Sequence, residues 1–243
     1  VIKGLLDWIE ADQHAPFEAI LYTIKEVINP YLHEENVTEN GFFVYSLDKN
    51  DKKKEVINSS VALAAQIQRT SQYLGCDSLT TIWRNAADTA IASALKFVNK
   101  DKHGNWYWGY GPKTEHTNDL IHSSFIADAL ITYVKYDGSL YQDIDIDKIM
   151  QYTHTFYCDE KKRFSRFPLK QPENYSQPKL WDIGFALYLY SKTDCGTPYL
   201  NTLYSQINDY KHKEVYEEIV GNKEILIRHN AYLLLGLSYY LYK

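Results

Sequence analysis

Residues 121–138 read IHSSFIADALITYVKYDG, and residues 59–75 read SSVALAAQIQRTSQYLG. Both open on small polar residues, run through an apolar stretch at helical spacing and close on a glycine. In the second, Val61, Ala64, Ala65, Gln68 and Gln72 fall on one face of a 3.6-residue helix, and Gly75 supplies a stop. Each stretch therefore predicts a helix. Because the same pattern occurs twice in one chain, it raises the question of a repeat.

Working outward, each such helix is followed by a second one and then by a turn-rich, aromatic segment. After Gly75 a helix is predicted from Asp77, as N-cap, through to Asn99, followed by KDKHGNWYWGYGPKTEHT, which reads as a short hairpin or extended loop. After Gly138 come IDKIMQYTHTFY (146–157) and the loop CDEKKRFSRFPLKQPENYSQPK. LWDIGFALYLYSK (180–192) and TPYLNTLYSQINDY (197–210) make a third pair, and LIRHNAYLLLGLSYYLYK ends the sequence. Upstream, GLLDWIEADQ and APFEAILYTIKEVINPYL form one earlier pair, followed by HEENVTENGFFVYSLDKNDKKKE. Aligning Val61, Phe125, Phe185 and Tyr232 puts Asn58, His122, Asp182 and His229 in register, at intervals of 64, 60 and 47 residues. That spacing fits a unit of two helices plus a long connection. Gly41 and Gly104 stand 17 and 18 residues before Asn58 and His122, and Arg163-Phe164 takes that place in the next unit without the glycine.

This arrangement resembles the α/α toroid of six-hairpin glycosidases, several polysaccharide lyases and, distantly, the terpenoid cyclases. The stretch KFVNKDKHGNWYWGYG is similar to the Gly-x-Trp turn of the cyclases, although the glutamine of that turn is absent. The resemblance implies an all-α fold: an incomplete (α/α) toroid of four to five helical hairpins over residues 1–243, read as one domain, either open or part of a longer chain. It also implies loops gathered around a central pit.

Composition limits what such a pit could take. The chain has 243 residues, 45% of them apolar, enough for a substantial core. No apolar run approaches the roughly 20 residues of a membrane span. A net charge of −5 argues against a nucleic-acid partner. Cys76, Cys158 and Cys195 lack metal-binding or disulfide spacing and read as reduced thiols, which favours the cytoplasm. No cofactor motif and no metal-ligand motif occurs; neither GxGxxG, a Walker loop, a GxSxG elbow nor DDxxD is present, and IDIDK opens an outer helix. The 22 tyrosines and 5 tryptophans exceed what a core needs and suit stacking on sugar rings.

The four aligned polar residues are predicted to sit just before the first turn of each inner helix, at the rim of the pit. Asn58 and Asp182 are good N-caps; histidine is a poorer one, which makes His122 and His229 candidates for proton transfer. Around His122 gather Trp106, Tyr107, Trp108, Tyr110, Glu115, His116 and Asp119. The third loop is basic, and its Arg166 and Lys170, with Arg228 beside His229 and the ring of Trp181, would hold an anionic sugar. Elimination next to a uronate needs a carboxylate neutraliser (Asn58 or Arg228), a base (His122 or His229) and an acid (Tyr107 or Tyr110). Hydrolysis instead needs paired carboxyl groups, for which Asp182 with Asp119 or Glu115 is the available combination. The expected function is thus lyase or hydrolase chemistry on an acidic oligo- or polysaccharide. The alternative is a non-catalytic carbohydrate-binding protein of surface-polysaccharide production.

Overall fold

The computed structural model describes residues 1–51, 54–75, 77–114 and 118–242. The fold is mainly helical. Its helices are α1 (Ile2–Ala11), α2 (Phe17–Ile28), α3 (Ile57–Ser71), α4 (Asp77–Lys96), α5 (Leu120–Lys135), α6 (Ile146–His154), α7 (Leu180–Ser191), α8 (Leu200–Ile207) and α9 (Ile227–Leu241). Between them stand antiparallel two-residue strand pairs: β1 (Asn99–Lys100) with β2 (Trp106–Tyr107), β3 (Tyr157–Cys158) with β4 (Arg163–Phe164), and β5 (Lys211–His212) with β6 (Val215–Tyr216). A single antiparallel bridge, Val37 to Phe43, holds the equivalent place before α3. The helix–helix–hairpin alternation read from the sequence is therefore present.

One local feature recurs in all four connections. Each turns on a residue with positive φ: Gly41 at 84°, Gly104 at 81°, Lys162 at 52° and Lys213 at 56°. The left-handed conformation is required by the tight reversal, and glycine adopts it without a Cβ clash. Two of the four repeats use lysine instead, which is why the glycine signal fades in the sequence after residue 104.

The chain divides into two compact units. The first comprises Val1–Val98, Gly111–Lys113 and Ala129–Ile144. Here α3 packs on α4 and α1 on α2, over a core that includes Leu6, Ile24, Ile57, Val61, Ala65, Trp83 and Ile91. The buried Arg69 of α3 pairs with Asp7 and Glu10 of α1, each at 2.8 Å, and Glu10 also accepts from Tyr73 and Tyr136. Asn58 belongs to this unit. It is the second residue of α3, buried, with Oδ1 lacking a hydrogen bond among the described residues, and the residue that precedes the helix is Val56.

The second unit comprises Asn99–Tyr110, Thr114–Asp128 and Asp145–Lys243. Its centre is α7, buried at Leu180 and from Asp182 through Ser191, as expected of a helix apolar on all sides. It packs against α8 and α9. The α7–α9 crossing is made by glycines: a Cβ on Gly184 would lie 2.6 Å from the Leu233 backbone nitrogen, and one on Gly236 would lie 2.2 Å from the Gly184 carbonyl oxygen. Each hairpin then hooks the preceding inner helix. The first amide of α5, Leu120 N–H, donates to the Arg166 carbonyl two residues past β4, and the first amide of α7, Leu180 N–H, donates to the Glu218 carbonyl two residues past β6, both at 2.9 Å.

The expected places of the four polar residues are corrected here: rather than standing just before the first turn, His122, Asp182 and His229 are each the third residue of their helices and Asn58 is the second, behind Leu120, Leu180, Ile227 and Ile57. Helix α8 is shorter than predicted, since Pro198 confines residues 194–199 to a 3-10 turn. Cys158 is buried and Cys195 exposed, and both are free thiols. Glu115, His116 and Cys76, and the side chain of Asp77 proposed as an N-cap, lie outside the described residues. Among the described residues, no helix is long and apolar enough to cross a membrane.

Candidate functional site

In the second unit, the N-terminal turns of α5, α7 and α9 bring together most of the aligned polar residues. Asp119 immediately precedes α5 and serves as its cap: Oδ1 accepts the His122 backbone N–H at 3.2 Å and also meets the His122 ring at Nδ1. Both contacts run to one carboxylate oxygen, which caps the helix and holds the ring of its third residue at the same time. It fixes the imidazole against the helix end and leaves Nε2 as the nitrogen not engaged by Asp119. Arg166 approaches the other carboxylate oxygen, Nη2 to Oδ2, at 3.5 Å.

Asp182 makes the complementary contact in α7, from inside the helix back to the residue before it. Its Oδ2 accepts the Lys179 backbone N–H at 2.6 Å, half of a capping box. The side chain is completely buried and Oδ1 has no partner among the described residues. Burial, reinforced by the nearby Asp119 charge, pushes its carboxyl up to about 8, against the opposing Lys179 hydrogen bond. Asp119 behaves oppositely. Burial raises it, but hydrogen bonding to His122 and the charges of His122 and Arg166 outweigh that and hold it below the usual carboxylate range. At neutral pH the two acids are thus one protonated and one ionised.

His229 lies at the third position of α9, 0% exposed, with neither ring nitrogen hydrogen-bonded among the described residues. Burial drives its ring down to about 4; the Glu218 carboxylate opposes that shift, and the Arg228 and Lys179 charges add to it. It stacks on Trp181 with ring centroids 4.5 Å apart, while the Arg228 guanidinium sits 4.3 Å over the same tryptophan. Trp181 is therefore half-buried, with α9 side chains against its ring, and its Nε1 is buried without a hydrogen bond among the described residues. His122 meets Trp181 edge-on at 6.2 Å and Tyr110 at 5.4 Å. Beside this layer, Phe125 and Tyr232 each meet Phe185 edge-to-face and meet one another at a tilt, packed with Ile121 and Tyr188 in an apolar cluster.

Among the described residues, four around the dyad carry buried polar atoms without a hydrogen bond: Arg166 Nε, Trp181 Nε1, Asp182 Oδ1 and both nitrogens of His229. Native folds leave few such groups, each costing about 1–3 kcal/mol, and a concentration of them marks a place with a job besides packing. The side chains that reach solvent are His122 and Arg166, 22% and 32% exposed, together with Tyr110 and Arg228.

Other candidates lie elsewhere in this unit. Trp106, Tyr107 and Trp108 turn toward α6, where they line a hollow with Ser123, Ile126, Ile149, Tyr152 and Thr153 that encloses room for about one water molecule. Tyr107 stacks on Tyr152 at 4.8 Å, so its ring belongs to that wall and not to the ring contacts of His122. Two participants escaped the sequence reading. Glu218 binds the Lys179 ammonium and lies 4.0 Å from His229 Nε2, and Tyr232 stands beside Trp181. The signal for Glu218 was its repeat position: it stands two residues past β6, as Arg166 stands two past β4. Among the described residues, no cluster of three or more His, Cys, Asp or Glu could hold a metal ion. Compared with known proteins, the chain matches no family model, and no curated protein is significantly similar to it.

Proposed function

We propose that the protein is an incomplete α/α toroid that cleaves an acidic oligo- or polysaccharide by β-elimination, with His122 as base. The observation that carries this reading is the Asp119–His122 dyad, set between a solvent-reaching tyrosine and an arginine at the helix N-termini. Since Asp119 is ionised and faces Nδ1, the neutral ring carries its hydrogen there and presents the Nε2 lone pair for a proton. Arg228 pairs with the uronate carboxylate and stabilises the negative charge that develops on it as the C5 proton leaves to His122. The electron pair forms the new C4–C5 double bond, the C4–O bond breaks, and the Tyr110 hydroxyl protonates the departing oxygen.

Elimination is favoured over hydrolysis because of where the carboxyl groups lie. Hydrolysis needs two carboxyls flanking the scissile bond, whereas Asp182 is fully buried and Asp119 is 7% exposed and bound to His122. These acids support the site from behind.

Uronate polymers incubated with the protein test this reading, with unsaturated product followed in the ultraviolet and reducing ends followed in parallel. Both signals are expected together, reduced at least about 100-fold in His122→Ala and in Tyr110→Phe at unchanged melting temperature. Reducing ends without ultraviolet absorbance would indicate hydrolysis. Binding with neither signal would leave the carbohydrate-binding alternative.

A further inference from the structure

Resting on that reading, the site contains a second cation that a single substrate carboxylate does not use. Arg228 reaches the dyad through Trp181, lying over its ring, and makes no ion pair among the described residues. Arg166 reaches it from the other direction, through Asp119. Its backbone is pinned at both ends: the N–H donates to the Ser176 carbonyl at 2.8 Å, and the carbonyl accepts from Leu120 at 2.9 Å. Its guanidinium approaches Asp119 at 3.5 Å and lies over the Phe167 ring at 5.3 Å, and Nε is buried without a hydrogen-bond partner among the described residues. A cation so fixed, yet so incompletely neutralised, is built to receive an anion.

Arg166, Lys179 and Arg228 gather at the positive ends of α5, α7 and α9. Lys179 is bound to Glu218, whose carboxylate also meets the Glu224 side chain, so the cations left for a ligand are Arg228 and Arg166. In a protein with net charge −5, two such cations at one site select a ligand by charge.

We infer that this site takes a glycan acidic on successive sugars, with Arg228 and Arg166 each holding one anion on either side of the bond placed at His122. A polymer that alternates acidic with neutral sugars fills only one of the two.

Binding of two oligosaccharides of equal length tests the inference by calorimetry: one of consecutive uronates, one alternating uronate with a neutral amino sugar. The wild-type protein is expected to bind the first about ten-fold more tightly, and with a steeper loss of affinity on adding salt. In Arg166→Gln the preference should fall below about three-fold, and Arg166→Lys should retain most of it, since the charge is kept. Equal affinities in the wild type, or a preference untouched by a folded Arg166→Gln, overturn the inference and leave an acidic-glycan site with one anion position. Failure of the wild type to bind either compound overturns both the inference and the function it rests on. If Arg166→Gln melts early, the wild-type preference and its survival in Arg166→Lys decide.

Discussion

Asp182 combines two roles that pull in opposite directions. As the third residue of α7 it accepts a backbone hydrogen bond, a contact worth about 1 kcal/mol, yet it is sealed from water beside Asp119 and so folds as the neutral acid. An unfolded aspartate ionises near 3.8, so folding above that pH requires proton uptake. Its raised carboxyl therefore makes the fold less stable as pH climbs from about 4 to about 8, by up to about 1.4 kcal/mol per pH unit. Asp182→Asn keeps the acceptor and removes the ionisation. Denaturant melts should show the variant matching wild type near pH 4 and exceeding it increasingly toward pH 8. Asp182→Ala should instead lower stability near pH 4, where the lost cap is all that differs electrostatically. The sequence indicated a capping aspartate at this place; its proton followed from burial, reinforced by Asp119, 63 positions away in the chain and brought near only by folding.

At the scale of elements, the α7–α9 contact depends on the absence of side-chain atoms. The Cβ that Gly184→Ala would add meets the Leu233 backbone, which cannot rotate away, so the helices must separate. Overpacking of this kind costs about 1–3 kcal/mol or more, and the thermal midpoint should fall by several degrees while far-ultraviolet dichroism keeps its helical signature. The hairpins give a prediction of the opposite sign. Lys162 holds a left-handed conformation at the turn between β3 and β4, which costs a lysine about 1–2 kcal/mol. Glycine there loses about 0.5–1 kcal/mol through the freedom of its unfolded chain. Lys162→Gly should thus raise stability by roughly 0.5–1 kcal/mol in urea melts. The helices were legible from apolar spacing, but the aligned polar residues lie inside the first turns rather than before them, because Ile57, Leu120, Leu180 and Ile227 open the helices ahead of them.

Over the whole molecule, two buried groups with opposed titrations shape stability against pH. His229 is held neutral down to about 4, whereas an unfolded histidine takes a proton near 6.5. Its contribution is present above about 6.5 and is lost as pH falls toward 4. Asp182 moves the other way over the same interval, so the two should largely cancel between about 4 and 6.5, leaving a plateau and then a decline from about 6.5 to 8. His229→Gln should turn the plateau into a slope, with stability still rising as pH drops toward 4; a profile unchanged from wild type would show that His229 is not held neutral. The sequence by itself determined the helical class and the helix–helix–hairpin repeat, because apolar periodicity and turn residues act over a few neighbours and need no partner elsewhere. It also placed His122, Asp182 and His229 at equivalent helix positions. Only the tertiary structure decided which of them meets solvent, which is neutral and which ring covers Trp181. Burial and charge proximity depend on side chains far apart in the chain, and no local spacing encodes their distance in space.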